Sequence, residues 1–254
     1  MSEQKFTVPT EMIDLPSKGK VYSKENPLSA GVVEMKYMTA KEEDILTNVN
    51  LLRQGLAIEK MLKSLIKTPI KYEDLTLGDR NALLVSARIL AYGKDYNLKY
   101  NNPNTGEDET IVADLQKLGY KQVDLSLFDN SNEVAYELPF TKNLVTFKIL
   151  TIEDDKKIDE EAKGIKKSLG QDSGISLRLK HQITSVNGDR STKTVRDFID
   201  SGALLSRDSN PLRQFMASVT PDIEMKTTVT LSDGTEMEID VPMTAEFFFP
   251  GSGI

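Results

Sequence analysis

Met38-Thr39-Ala40-Lys41-Glu42-Glu43-Asp44-Ile45-Leu46-Thr47 and, further on, Leu75-Thr76-Leu77-Gly78-Asp79-Arg80-Asn81-Ala82-Leu83-Leu84 decide how this chain reads. Both stretches put hydroxyls and carboxylates where helix ends need them. Thr39 can cap the N-terminus of a helix, and Glu42, three residues on, can reach back to complete a capping box. Just upstream, Val33, Met35 and Tyr37 alternate with Glu34 and Lys36, the period of a half-buried strand. Between the two stretches, Ile58, Met61, Leu62, Leu65 and Ile66 fall on one helical stripe, which Thr68-Pro69 ends because the residue before proline avoids the helical region. The helix starting around Gly78-Asp79 is apolar on more than one face, so it should be central, and Gly93 is placed to stop it with a left-handed cap. Arg80 and Arg88 interrupt that helix and are expected on its remaining exposed stripe or paired with nearby acids.

From Tyr96 onward the period changes to that of strands. Tyr96–Tyr100 and Glu107–Val112 flank the turn-rich tip Asn102-Pro103-Asn104-Thr105-Gly106, and Val134–Leu138 with Val145–Ile149 make a second hairpin. Asp233-Gly234, between the alternating runs Thr227–Leu231 and Met237–Val241, is a strong signal for a third. Thr151-Ile152-Glu153-Asp154 opens a capped helix that is acidic at its start and basic at its end, and shorter helices are expected over 176–183, 194–199 and 211–219. In the last of these, Ser209 or Asn210 caps and Pro211 occupies the first turn, where a missing N–H costs nothing. The fold class is therefore α+β, a helical core with antiparallel β-hairpins and an extended N-terminal arm, without a parallel nucleotide-binding sheet. Residues 1–34 read as the arm and first turns, 35–150 as the helical core with two hairpins, and 151–254 as a helical segment with a C-terminal hairpin and aromatic tail. The arm's Phe6, Val8, Met12, Ile13, Leu15, Val21 and Tyr22 need a surface, and its own domain is the common one.

With 254 residues, 39% hydrophobic and 28% charged, the chain has enough apolar matter for a sizeable core. No run approaches the roughly 20 apolar residues of a membrane span, and the start leads into no signal-peptide core, so a cytoplasmic protein is expected. Zero cysteines remove disulfides, thiolate nucleophiles and cysteine-ligated metal sites together. A formal charge of −7 disfavours nucleic acid, whose phosphates bind largely through Lys and Arg.

The chain is poor in catalytic patterns. His181 is the sole histidine and has no marked nucleophile beside it; there is no G-x-S-x-G elbow, and H-E-x-x-H needs two histidines. Ser17-Lys18-Gly19-Lys20 is followed by Val21 in an irregular arm, which is not a phosphate loop. The tip Asn102-Pro103-Asn104-Thr105-Gly106 has the outline of a C-P-x-C-G knuckle, but Asn102 and Thr105 stand at the ligand positions, and neither holds structural zinc. No catalytic, cofactor-binding or metal-binding residue is expected. The alternative class is a carboxylate-dependent hydrolase, acting on a cell-wall or small-molecule substrate, that would use groups such as Asp79 or Glu109.

Several phrases, taken in order, resemble the T-even-type (T4-like) myophage baseplate proteins, a family that includes the baseplate hub subunit and hub-assembly proteins. They are Leu15-Pro16-Ser17-Lys18-Gly19-Lys20-Val21-Tyr22, Met38 to Leu46, Gly78 to Leu84, Ala91-Tyr92-Gly93, Asn187-Gly188-Asp189 and the closing Phe247-Phe248-Phe249-Pro250. The resemblance implies a structural or chaperone-like assembly role in the hub of a contractile-tail baseplate. It implies other baseplate or hub proteins as partners and no catalytic residues to carry over, with self-association also open. The place of action would be the host cytoplasm during assembly, with the virion tail as the other location. Two segments are expected to make contacts: the narrow seam Ile158, Ala162, Ile165 and Leu169, and the aromatic end Phe247, Phe248, Phe249 and Pro250, whose three adjacent rings cannot all face one side of a regular element.

Overall fold

A computed structural model describes residues 7–169, 174–243 and 245–248. The arm begins as β1 (Thr10–Asp14), antiparallel to β2 (Val32–Lys36) with Ile13 opposite Val33. Between the strands the chain folds through tight turns that bury Leu15, Val21, Tyr22 and Leu28, so this part of the arm packs on its own body. Val8 and Met12 stay exposed, and Phe6 lies outside the described residues. Gly19 and Gly31 make the turns close: each has φ near +75°, and a Cβ on Gly19 would stand 2.3 Å from the Ser29 carbonyl oxygen.

The helices follow: α1 (Ala40–Leu46), α2 (Val49–Arg53), α3 (Ala57–Leu65) and α4 (Leu77–Tyr92). Helix α3 buries Met61, Leu62 and Leu65 from its apolar stripe and ends before Thr68-Pro69, where Ile66 turns extended and bridges to Met35. Helix α4 is the central one, burying Ala82, Leu83, Leu84, Val85 and Ala87 on more than one face, and it stops at Gly93 with φ of +80°. Arg88 departs from expectation. It is 3% exposed, pairs with no acid among the described residues, and donates instead to the carbonyls of Gly93 (3.1 Å) and Asp95 (3.4 Å) while its guanidinium lies over Tyr92. A cation beside the unsatisfied carbonyls of a helix end is a favourable arrangement, and here it is built inside the protein.

Hairpin β3 (Asp95–Asn101) with β4 (Asp108–Asp114) and hairpin β5 (Glu133–Glu137) with β6 (Leu144–Lys148) follow the alternation in the sequence. Helices α5 (Ile152–Leu169) and α6 (Gly174–Gln182) lead into β7 (Ile183–Val186), which pairs with β6 and turns the second hairpin into a three-stranded sheet. Helix α7 (Thr192–Asp200) and helix α8 (Ser206–Val219) cover that region; Phe215 of α8 stacks on Tyr136 with centroids 4.5 Å apart and meets Phe147 edge-on. Helix α8 begins five residues earlier than the sequence suggests, so Pro211 sits inside it rather than in its first turn. Hairpin β8 (Lys226–Thr230) with β9 (Glu236–Asp240) and the short α9 (Ala245–Phe248) close the described chain. Every strand pairing among the described residues is antiparallel, and the fold is α+β. One main core runs from Leu15 through α4 to Phe248, with a satellite cluster of Leu150, Ile158 and Leu177 beneath α5. Among the described residues, no helix is long and apolar enough to cross a membrane.

Candidate functional site

Polar side chains inside this protein are spent on joining segments. Glu42 is buried and accepts from the Thr39 N–H (2.9 Å) and hydroxyl (2.7 Å), from Ser64 (2.5 Å) and from the Lys36 ammonium (2.7 Å). The capping residue therefore also locks α1 to β2 and α3. Asp79, in the first turn of α4, is 0% exposed; it accepts from the Ser17 N–H (3.0 Å) and hydroxyl (2.7 Å) and from the Tyr22 hydroxyl (2.5 Å). Burial pushes its pKa up against the pull of those donors, and burial with the Asp79 charge raises the Tyr22 phenol well above its ordinary value. The Ser17-Lys18-Gly19-Lys20 phrase thus serves as a docking turn for the start of α4.

Glu109, the other carboxylate weighed for hydrolysis, belongs to a separate network. It accepts from the Asn102 amide (2.8 Å) and the Ser232 N–H (2.8 Å). Asn102 in turn holds the tip of its hairpin by accepting from the Asn104 N–H (2.9 Å), and Asn104 donates to Asp233 (2.8 Å) across to the β8–β9 turn. Asparagine thus closes the knuckle-like tip through an Asx turn, and Glu109 clamps that tip to a second hairpin. Asp208 does the same for α8, accepting from the Phe140 N–H (2.7 Å) and from the Thr141 N–H (3.1 Å) and hydroxyl (2.7 Å). Its carboxyl is burdened by burial, yet these bonds hold its pKa below the ordinary value. His181 faces Glu161 at 2.9 Å, and the same carboxylate takes both guanidinium nitrogens of Arg196 (3.1 and 3.2 Å), so α5, α6 and α7 meet at Glu161.

The segments expected to make contacts are largely turned inward. Ile158 is buried against Leu150 and Leu177, with Ala162 and Ile165 half-buried against the same cluster, so the seam on α5 meets α6 of its own chain. Phe247 and Phe248 are buried, Phe247 edge-on to Tyr96 at 5.2 Å. The side chain of Leu169, and Phe249 and Pro250, lie outside what is described. Apolar groups that do face solvent include Phe140, Leu144 and Leu205 near the start of α8, and Val49, Leu52 and Leu56 around α2.

A groove of about 520 Å³ lies between α6, the C-terminal half of α8 and the paired segments 119–121 and 222–224. Its floor is Leu77, Ile149, Leu150, Met216 and Ile223, and its rim carries Arg178, Arg213, Lys121 and Glu224. The floor is fixed by close backbone contacts. The starts of α4 and α5 run side by side through Leu77 N–H to Leu150 carbonyl (3.3 Å) and Ile152 N–H to Leu75 carbonyl (2.9 Å). A Cβ on Gly78 would come within 2.0 Å of the Pro221 carbonyl oxygen, so only glycine lets α4 approach this wall. The sequence gives no local signal for the groove, because its lining residues come from segments far apart along the chain.

The model of the family described as T4 bacteriophage base plate protein matches residues 8–249. No curated protein and no solved structure matches this chain.

Proposed function

The chain belongs to the T4 bacteriophage base plate protein family, and from that membership we propose that it is a structural or chaperone-like assembly protein of the baseplate hub in a contractile phage tail. It acts through protein–protein contacts and not through catalysis. The observation that carries this reading is the family match over residues 8–249, nearly the whole chain. The use of the carboxylates supports it: buried Asp79 and Asp208 and half-buried Glu109 have hydrogen-bonding jobs in separate networks that join segments. Its partners are other baseplate or hub proteins, met in the host cytoplasm during assembly.

Co-expression of the full chain with each candidate hub protein, followed by size-exclusion chromatography, tests the reading. Co-elution with at least one is expected; separate elution from all of them, with normal tails in a phage lacking this chain, would sink it. Mass spectrometry of purified virions against infected-cell lysate then separates a hub component, present in both, from an assembly factor found only in the lysate.

A further inference from the structure

We propose that the groove between α6 and α8 is a docking site for an acidic peptide segment of a partner protein, one that places a bulky apolar side chain on the Leu77–Met216–Ile223 floor beside a carboxylate. The proposal rests on the protein–protein reading above and adds the place and the chemistry of one contact.

Charge selects the occupant. The chain as a whole is acidic, with a formal charge of −7, yet Arg178, Arg213 and Lys121 converge on this one apolar-floored groove. Their charges are weakly used within the fold. Arg213 makes no ion pair among the described residues, and its guanidinium donates to the neutral Asn210 amide oxygen at 3.4 Å. Arg178 is 47% exposed on its side chain and lies 3.6 Å from Asp155, a long contact for an ion pair. Lys121 donates to the Ala217 carbonyl, which holds its ammonium at the rim. On the acidic side, Asp222 is held in place by the Asn81 amide (3.2 Å) and the Ile223 N–H (2.8 Å), and with Glu224 it makes two carboxylates against the three cations of the lining.

Guanidinium groups recognise carboxylates through paired N–H donors, and an apolar floor beneath them is the arrangement that gives interface arginines their share of binding energy. A basic segment would meet three like charges against the two carboxylates of the lining, Asp222 and Glu224. A wholly polar one would leave the floor unfilled.

A random peptide library displayed on yeast, sorted against the full-length chain, tests this directly. Peptides in which Asp or Glu adjoins Leu, Ile, Phe or Met are expected to be enriched. The best of them should bind at least tenfold more weakly to Arg213→Glu and Arg178→Glu, keep most of its affinity for Arg213→Lys, and weaken as salt rises. Both arginines are exposed, so circular dichroism should show unchanged folding in the charge-reversed proteins. Absence of enrichment, enrichment without acidic residues, binding indifferent to charge reversal, or full displacement by micromolar citrate or phosphate would each overturn the proposal, the last by making it a small-anion site. These results are independent of virion mass spectrometry and hub co-elution, so failure of the groove and failure of the baseplate role are told apart.

Discussion

Burial raises the pKa of the Glu42 carboxyl, but donors from Lys36, Ser64 and Thr39 outweigh it and hold the value at about 2, against an ordinary 4.5. A folded-state pKa below the unfolded one means that stability from this group is complete above about pH 4.5 and is lost as pH falls toward 2. The difference corresponds to on the order of 3 kcal/mol at neutral pH. Glu42→Gln should therefore be destabilised by about 2–3 kcal/mol in urea unfolding at pH 7, with the gap to the wild type closing as pH is lowered from 4.5 toward 2. A gap that stays constant with pH would mean that shape, not charge, is what Glu42 supplies. The sequence makes half of this visible, since Thr39 and Glu42 stand at capping-box spacing, but the contributions of Lys36 and Ser64 depend on how β2 and α3 pack.

Elements whose partners are adjacent in sequence were legible. The Asp233-Gly234 turn, with Gly234 at φ of +83°, sits between strands that alternate as expected, and the apolar stripe of α3 and the long apolar run of α4 fold as helices. Strand β7 was not legible, because four residues following a helix carry little period and are held by pairing with β6, reached across α5 and α6. The early start of α8 was hidden too. Its first turn is polar, and Asp208 is fixed by the distant turn at Phe140 and Thr141. Packing between elements also gives a sharp test at Gly78, where an added methyl would stand 2.0 Å from the Pro221 carbonyl oxygen and 2.9 Å from the Asp222 Cα. Backbone cannot give way as a flexible side chain can. Gly78→Ala should cost about 2–3 kcal/mol in thermal or urea unfolding and weaken binding at the groove, since the wall at 221–224 must shift. A protein that melts as the wild type does would show that this approach is looser than its geometry.

At the scale of the whole molecule, the main core draws on residues from Leu15 to Phe248, so the two ends of the described chain share one apolar cluster. Phe247 is 0% exposed and meets Tyr96 and Phe248 edge-on, with centroids 5.2 and 5.1 Å away. A short aromatic turn placed this way acts as a plug in the core, which changes what a C-terminal deletion can report. Removing residues 245–254 would weaken assembly by unfolding the protein even if no partner touched them, so docking is better tested by charge at Arg178 and Arg213. Phe247→Ala should lower stability by about 3–5 kcal/mol, the usual cost of emptying a buried aromatic site. The chain has eight tyrosines and no tryptophan, so tyrosine fluorescence and far-UV circular dichroism are the two probes to follow in urea. Their transitions should coincide and shift together, because loss at one end of a shared core is felt throughout. A change below 1 kcal/mol, or a fluorescence transition that separates from the dichroism, would show that the aromatic turn is only laid upon the core and could be released to meet a partner.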